Sequence, residues 1–399
     1  MTENVVITGI ARTPMGAFKG AFTDIAAPDL GAVAIKAAML EANVAADSVE
    51  QVMMGCVLPA GQGQAPARQA ALGADLPMAA EAITVNKMCG SGMQAAIMAH
   101  DTIKAGSADI IVAGGMENMT RAPYLLPDAR SGMRMGDKAV IDSMMYDGLT
   151  DAYEGNAMGV FADMIAAEYQ FSREQQDAYA LESIRRAKAA QEDGKFEREI
   201  APVTVTTRKG DLVIDQDEGP QNAQAEKVPA LRPAFSKEGT VTAANASSIN
   251  DGASAMVLMR KSDATAGGHQ VLAEIAAHGA HAHEPAYFTT APVKAIEKAL
   301  ARAGWTTAEV DLWEINEAFA VVPMIAMREL DLDHDKVNVN GGACVLGHPI
   351  GASGARIMAT LLAEMEKRDA KKGVVKALGS RHKGAVARCG WRGGRQRPA

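Results

Sequence analysis

The apolar positions change period along the chain. Val5-Val6-Ile7-Thr8 is a β-branched run, Leu30, Val33, Ala37 and Leu40 recur at helical spacing, and the stretch from Val49 to Val57 is strand-like again. Such alternation predicts an α/β protein. A similar order returns further on, with a run from Val271 to Ile275, a helical pattern over 292–303, and then Val310-Asp311-Leu312-Trp313-Glu314-Ile315. The closer parallel is between Val85-Asn86, which leads into a glycine-rich turn at Gly90 to Gly92 and a helix, and Val337-Asn338, which leads into a glycine-rich stretch from Gly341 to Gly354 and a helix. Val337 lies 252 residues after Val85 and Val310 lies 261 after Val49, so a duplicated α/β unit is expected.

Between the repeats, 120–245 reads as an insertion carrying loops. The sequence leading into it, Met116 to Met158, is rich in Met and Gly, and most of these methionines read as gap-filling core residues. Ser172 and Gln175 have capping-box spacing, and Ala178, Leu181 and Ile184 fall on one face of the helix that follows. Thr204 to Asp217 and Gly219-Pro220 read as loop and short strand. Long loops held by a rigid scaffold often hold substrate. The expected division is 1–119 for the first half, 120–245 for the insertion with the first half resuming to about 268, and 269–399 for the second half.

Composition narrows this picture. A chain of 399 residues, 48% of them apolar, has core enough for two to four units. It contains no run of about 18 apolar residues, and its start, MTENVVITGIARTP, has neither a basic signal-peptide region nor an Arg/Ser-rich amphipathic pattern. A cytoplasmic protein without membrane spans is expected. Cys56, Cys89, Cys344 and Cys389 lack CxxC or Cys/His ligand spacing, which argues for free thiols and against a disulfide framework or structural zinc. The net charge of −8 is uneven: from Lys367 onward 11 Lys or Arg face one acid, so this tail holds +10 and the remainder −18. With no aromatic interleaved except Trp391, the tail reads as a solvated basic surface, and no nucleic-acid partner is expected.

Three blocks carry candidate chemistry. In Asn86-Lys87-Met88-Cys89-Gly90-Ser91-Gly92, a cysteine stands between a strand and a glycine-rich helix start, where exposed N–H groups and the helix dipole favour a thiolate and can stabilise an oxyanion. In Gly341-Gly342-Ala343-Cys344-Val345-Leu346-Gly347-His348-Pro349-Ile350-Gly351-Ala352-Ser353-Gly354, His348 occupies the corresponding turn of the second half. If duplication brings the two turns together, His348 can take the thiol proton as one member of a thiolate–imidazolium couple. Asn316, in Asn316-Glu317-Ala318-Phe319-Ala320, follows the strand-like Trp313 to Ile315, where its amide can hold a water or a carbonyl. His278, His281 and His283 form an HxxHxH cluster without accompanying cysteine or carboxylate ligands, and read as a solvated loop with no metal.

Together these blocks resemble the thiolase family, from about Val5 to about Gly373. Further matching segments are Arg12-Thr13-Pro14, Gly114-Gly115-Met116-Glu117-Asn118-Met119, Arg121-Ala122-Pro123-Tyr124, Leu231-Arg232-Pro233-Ala234-Phe235 and Val241 to Gly252. The resemblance implies a duplicated, five-layered αβαβα fold with a loop domain that binds coenzyme A. It implies acyl transfer between acyl-CoA thioesters, with acetyl-CoA acetylation as the simplest case. Cys89 matches the acylated cysteine, His348 the histidine that activates it, and Asn316 the asparagine whose water helps to hold the thioester enolate. Ser247, Leu149, Met158, Phe235, Ala318 and Phe319 match walls of the pantetheine tunnel. Acyl-CoA is then the substrate, no other cofactor is needed, and a homodimer or homotetramer is expected. A longer-chain 3-ketoacyl-CoA thiolase would use the same residues.

Two departures stand out. Family members carry a second catalytic cysteine, in a Cys-Ile-Gly-Gly-Gly stretch about 30 residues beyond the histidine, that moves the α-proton of the second acyl-CoA. Here Leu378 stands at that place, the glycine run is missing, and Cys389 lies too far along to be given the role. The Arg-, Gly- and Lys-rich sequence from Lys376 is expected to make neither strand nor core. The abrupt change after Gly373 fits a reading-frame change and real divergence alike, and it opens a further reading, a CoA-binding protein impaired in catalysis. The second departure is Ala157, where short-chain members often have histidine before the equivalent of Met158.

Overall fold

The computed structural model describes residues 3–377 and, over 382–388, the course of the backbone. Its main strands are β1 (Val5–Arg12), β2 (Gln51–Gly55), β3 (Glu81–Val85), β4 (Ile110–Asn118), β5 (Asn250–Arg260), β6 (Ala273–His281), β7 (Leu312–Ile315), β8 (Lys372–Lys376) and β9 (His382–Arg388). They form one continuous sheet in the order β7-β8-β9-β6-β1-β5-β4-β2-β3. Read outward from the middle, each half repeats the same pattern. β1 pairs antiparallel with β5, β5 antiparallel with β4, and β4 parallel with β2, which is parallel to β3. Likewise β6 pairs antiparallel with β9, β9 antiparallel with β8, and β8 parallel with β7, beyond which Val337 bridges Trp313 in parallel. The halves meet where Val6 pairs with Glu274 and Ile7 with Ala273. The duplication expected from the spacing is thus present as a repeat of strand order.

The helices explain how this sheet is buried on both faces. Helices α1 (Ala27–Ala42) and α2 (Pro66–Gly73) cover the outside of the first half, and α6 (Ala291–Ala303) covers the outside of the second, with α7 (Val321–Leu330) packed on it. Between the halves lie α3 (Ser91–Lys104) and α8 (Ser353–Arg368), giving the expected five layers. Alternation along each strand serves two layers at once. On β1, Val5 and Ile7 enter the central cluster with Met93 and Ile97 of α3 and Ile357 and Leu361 of α8, while Val6 and Ala11 enter the outer cluster with Leu30 and Ile35 of α1. The two central helices touch at their starts through glycine. A Cβ on Gly92 would lie 2.8 Å from Ala355 N, and one on Gly354 would lie 2.6 Å from Met93 N. This reciprocal contact places the turns before the two helices side by side.

The segment between β4 and β5 carries α4 (Met158–Glu168), α5 (Arg173–Glu192) and a small hairpin, Val203–Thr207 with Gly210–Ile214. The capping box of α5 forms as expected, with Gln175 N donating to Ser172 Oγ at 3.2 Å and Ser172 N donating to Gln175 Oε1 at 2.9 Å. Of its expected apolar face Ile184 is buried and Leu181 packs beside it, but Ala178 is exposed, and Tyr179, Ser183 and Arg186 also turn inward. The reason is polar. Tyr179 and Ser183 donate to the buried Glu317 carboxylate at 2.9 and 2.8 Å, contacts that an apolar-periodicity argument does not register. Arg12 ties the insertion to β1 through Glu199, at 2.5 Å, and Asp217, at 2.7 and 2.9 Å, a fully buried group in which loss of one partner costs roughly 3–5 kcal/mol.

The strongest correction concerns the C-terminal region. Sequence from Lys376 was expected to be a poor strand, yet 382–388 runs as β9 between β6 and β8, with Val386 opposite both Ala277 and Val374. Backbone pairing on two sides, plus the local Ala385-Val386-Ala387, outweighs weak intrinsic propensity. Leu378 and Cys389 lie outside the described residues. Among the described residues no helix is long and apolar enough to cross a membrane.

Candidate active site

Cys89 sits in a turn held by its neighbours. Met88 takes a left-handed conformation at φ 50°, Ser91 Oγ accepts from Lys87 N at 2.7 Å and donates to Met88 O at 2.6 Å, and Gly90 caps α3. The half-buried thiol borders two apolar clusters. One contains Phe161, Ala246, Phe288, Ala318 and Phe319 with Met158 at its margin, and the other contains Leu58, Met119 and Ile350 with Leu149 at its margin. Ser247 N donates to Ala318 O at 3.0 Å, and Phe235 meets Phe319 edge-on at 6.0 Å between centroids. Of the six expected wall residues, Met158, Ala318 and Phe319 thus belong to the first cluster or its margin and Leu149 to the margin of the second, while Ser247 and Phe235 adjoin the first through Ala318 and Phe319. Leu149, Met158, Ser247 and Phe235 are partly exposed and Ala318 and Phe319 buried.

His348 is buried in the opposing turn, whose Ile350 shares the apolar cluster that Cys89 borders. Its backbone N–H donates to Asn250 Oδ1 at 3.1 Å. Nδ1 lies 2.6 Å from Ser353 Oγ, and that hydroxyl donates to Pro349 O at 2.8 Å. With the serine proton committed, Nδ1 must be the donor in this pair, which leaves Nε2 as the basic nitrogen. Nε2 is buried and has no hydrogen-bond partner among the described residues. Asn316 presents a similar vacancy of bonding. It follows β7, its backbone N–H donates to Lys376 O at 2.9 Å, and both side-chain Oδ1 and Nδ2 are buried without partners. Buried groups left in this state mark where a ligand atom can complete the network.

The expected thiolate–imidazolium couple is not the resting state. Burial between apolar clusters pushes the Cys89 thiol up to about 12, against the opposing pull of its own backbone N–H and with Glu117 adding to the rise. Burial, reinforced by the Arg356 charge, pushes His348 down to about 3. Desolvation outweighs the helix-start donors, and the pair rests as neutral thiol and neutral imidazole. Proton transfer then belongs to the reaction itself.

Glu117 is a residue that sequence reasoning quoted but gave no role. It is fully buried at the end of β4 and accepts from Val57 N at 2.8 Å, Leu58 N at 3.1 Å and Gly351 N at 2.9 Å, joining the 56–58 loop to the His348 turn. Burial pushes it up to about 7. The available signal was an acid ending the apolar run from Ile110 to Met116. The histidine cluster is not brought together as a loop. His278 and His281 lie on β6, and His278 Nε2 instead meets Asp101 Oδ1 at 2.9 Å, beside His100. Ligand atoms of His100, Asp101 and His278 lie within 4.8 Å of one another, and Asp101 Oδ1 also takes His100 Nδ1 at 2.9 Å, so both imidazoles share one carboxylate oxygen.

A duplicated five-layered fold, with a cysteine and a histidine at paired helix starts and an apolar approach to the sulfur, defines a thiol acyltransferase architecture. The comparisons with known proteins agree. Residues 5–262 match the thiolase N-terminal domain and 269–387 the thiolase C-terminal domain. An acetyl-CoA acetyltransferase of Cupriavidus necator is 50% identical over 376 residues, covering 94% of this chain and 95% of its own. Acetyl-CoA acetyltransferase 2 of Arabidopsis thaliana is 50% identical over 375 residues, 93% of both chains, and a probable acetyl-CoA acetyltransferase of Escherichia coli is 48% identical over 373 residues, 93% of this chain and 95% of its own. The chain belongs to the thiolase family.

Proposed function

We propose that this chain is an acyl-CoA C-acyltransferase that joins two acetyl-CoA molecules into acetoacetyl-CoA and CoA, or runs the reverse thiolysis. What supports the reading is a thiol whose turn lies beside the turn that holds a buried, unpartnered imidazole nitrogen, together with a buried, unpartnered amide after β7. The three relatives named above support the acetyl group as substrate. As Cys89 Sγ attacks the thioester carbonyl, its proton passes to His348 Nε2, and the developing oxyanion is held by backbone N–H at the turn. The leaving CoA sulfur takes the proton from His348. A second acetyl-CoA then gives its α-proton to a base of the site, its enolate oxygen is held at Asn316 and His348, and its carbon attacks the acyl group on Cys89; the carbon–sulfur bond breaks and the departing thiolate recovers that proton. Binding and orientation of two thioesters carry the reaction, without metal or redox cofactor. The apolar walls suit pantetheine, an extended chain with few polar groups.

A reducing, cytoplasmic setting suits the free thiols of Cys56, Cys89 and Cys344. We also infer a homodimer or homotetramer. Support comes from β3, which lies at the end of the sheet path with Ile83 exposed and Met78 exposed beside it, an edge suited to a second copy. The test of function is intact mass after incubation with acetyl-CoA, alongside CoA-dependent cleavage of acetoacetyl-CoA and of C8 to C16 ketoacyl-CoA. One acetyl group on the full chain and none on Cys89→Ala, with C4 cleaved fastest, is the expected result. No adduct on the full chain would sink the reading, and faster cleavage of the long substrates would transfer it to fatty-acid thiolysis.

A further inference from the structure

Far from the Cys89 turn, the C-terminal end of α3 meets the second half through three side chains. His100 and Asp101 stand near the end of α3, and His278 lies on β6. Asp101 Oδ1 is 2.9 Å from His100 Nδ1 and 2.9 Å from His278 Nε2, and the two rings meet edge to face at 5.5 Å between centroids. Among the described residues this is the only set of three His, Cys, Asp or Glu side chains whose ligand atoms all lie within 4.8 Å of one another. The other histidines of the HxxHxH stretch stay out of it, His281 beside Lys298 and His283 stacked on Tyr287. His100 is buried, and Arg302 fixes the strand by donating to His278 O at 2.7 Å. Solvent reaches the group from one side, since the Asp101 side chain is 55% exposed and that of His278 21%. Hydrogen bonding alone accounts for it poorly. An exposed aspartate contributes little by pairing, yet it engages a buried histidine whose Nε2 has no partner among the described residues. Coordination of a cation at Nδ1 would offset that cost.

We propose that His100 Nδ1, His278 Nε2 and the Asp101 carboxylate bind one divalent transition-metal ion of the zinc class, with water completing its shell, and that the ion clips α3 to the sheet of the other half. Two imidazole nitrogens and one carboxylate oxygen are a donor set that suits zinc and its neighbours. A tetrahedral ion with bonds of about 2.0–2.2 Å keeps adjacent donors about 3.3 Å apart, so the Asp101 oxygen has to withdraw from each ring by about half an ångström, which its exposure permits. Each ring binds as neutral imidazole, its proton moved to the nitrogen that faces away from the ion. Lys104, one turn further along α3, is exposed, and solvent and salt screen its opposition to the ion's charge. At 1.5 Å per residue the site lies about 16 Å along the helix from Cys89, so the ion acts on the joining of the halves and takes no part in acyl transfer.

The experiment titrates the full 399-residue chain, first stripped of metal with EDTA, with Zn2+ and with Co2+, whose visible spectrum reports its ligands. One ion per chain is expected, with a Co2+ spectrum free of sulfur charge transfer and a Tm raised by about 3 °C when Zn2+ is about 100-fold above its Kd. His278→Gln and Asp101→Ala alter side chains that solvent already reaches, so the metal-free Tm of each variant should stay within about 2 °C of the parent's. Each should weaken Zn2+ binding by at least the 10- to 100-fold that loss of an outer partner typically causes, about 10²-fold here, and remove the rise in Tm. The proposal is overturned by a parent that binds no ion saturably, by variants that bind as tightly as the parent, or by sulfur charge transfer, which would put the metal on Cys89. Binding without a rise in Tm would overturn the clip, because an ion held only by the folded chain must stabilise it.

Discussion

The Cys89 turn and the His348 turn hold equivalent places in the two halves, yet their reactive atoms meet different surroundings. Cys89 is half-buried at the meeting of two apolar clusters whose margins reach the surface, whereas His348 is buried, with Nδ1 and its backbone N–H both bonded and only Nε2 left open. One strand–glycine–helix unit has produced a group that substrate can reach and another that only the site can reach. The nucleophile must meet two substrates in turn, and the base must keep one tautomer throughout. Duplication supplies the shared geometry, and the residues packed on each turn supply the difference.

The largest effect should come from erasing the base. His348→Gln should slow acetylation of Cys89 by about 10²- to 10⁴-fold in rapid-quench measurements while leaving CoA binding nearly intact. A change below tenfold would mean that the open nitrogen takes no part in activating the thiol. The next test addresses the likeness of the two turns. Gly92→Ala and Gly354→Ala each press a methyl into the start of the other helix and should each cost about 1–3 kcal/mol in urea unfolding. Markedly unequal costs would show that the reciprocal contact is not symmetric in energy. Ser353→Ala, which frees Nδ1 but keeps the ring, should cost about 1 kcal/mol, a loss of roughly fivefold in acetylation rate.

The mildest probe is pH. With His348 held down to about 3 and Cys89 up to about 12, acetylation should stay flat from pH 5 to 8, without the inflection near 6.5 of an ordinary histidine. A clear inflection between pH 5 and 8 would show that one of the two groups titrates there.

Much of the architecture was legible because its signals are local. β-Branched runs, helical spacing and paired glycine-rich turns identified the repeated unit, and the Ser172–Gln175 cap forms as its spacing requires. At Cys89, the strand, the glycine-rich turn and the helix start all stand where the local sequence put them. What escaped depends on distant segments. Strand β9 exists because β6 and β8 both pair with it, and the burial of Tyr179 and Ser183 on α5 follows Glu317, more than a hundred residues away. The neutral resting state of Cys89 and His348 and the clasp at Glu117 are likewise products of desolvation, which no stretch of sequence displays by itself.

The order of strands also has a consequence for synthesis. Within the first half-sheet β1 runs beside β5, and β5 alone joins it to β4, although β5 ends only at Arg260, after the whole insertion. While the ribosome makes the intervening segment, Val5 to Arg12 has no neighbouring strand, and its apolar residues stay without their final cover until well over half the chain has emerged. Long-range pairing of this kind is slow and leaves sticky intermediates. The length of the insertion therefore sets how long the newborn chain carries an uncovered apolar strand.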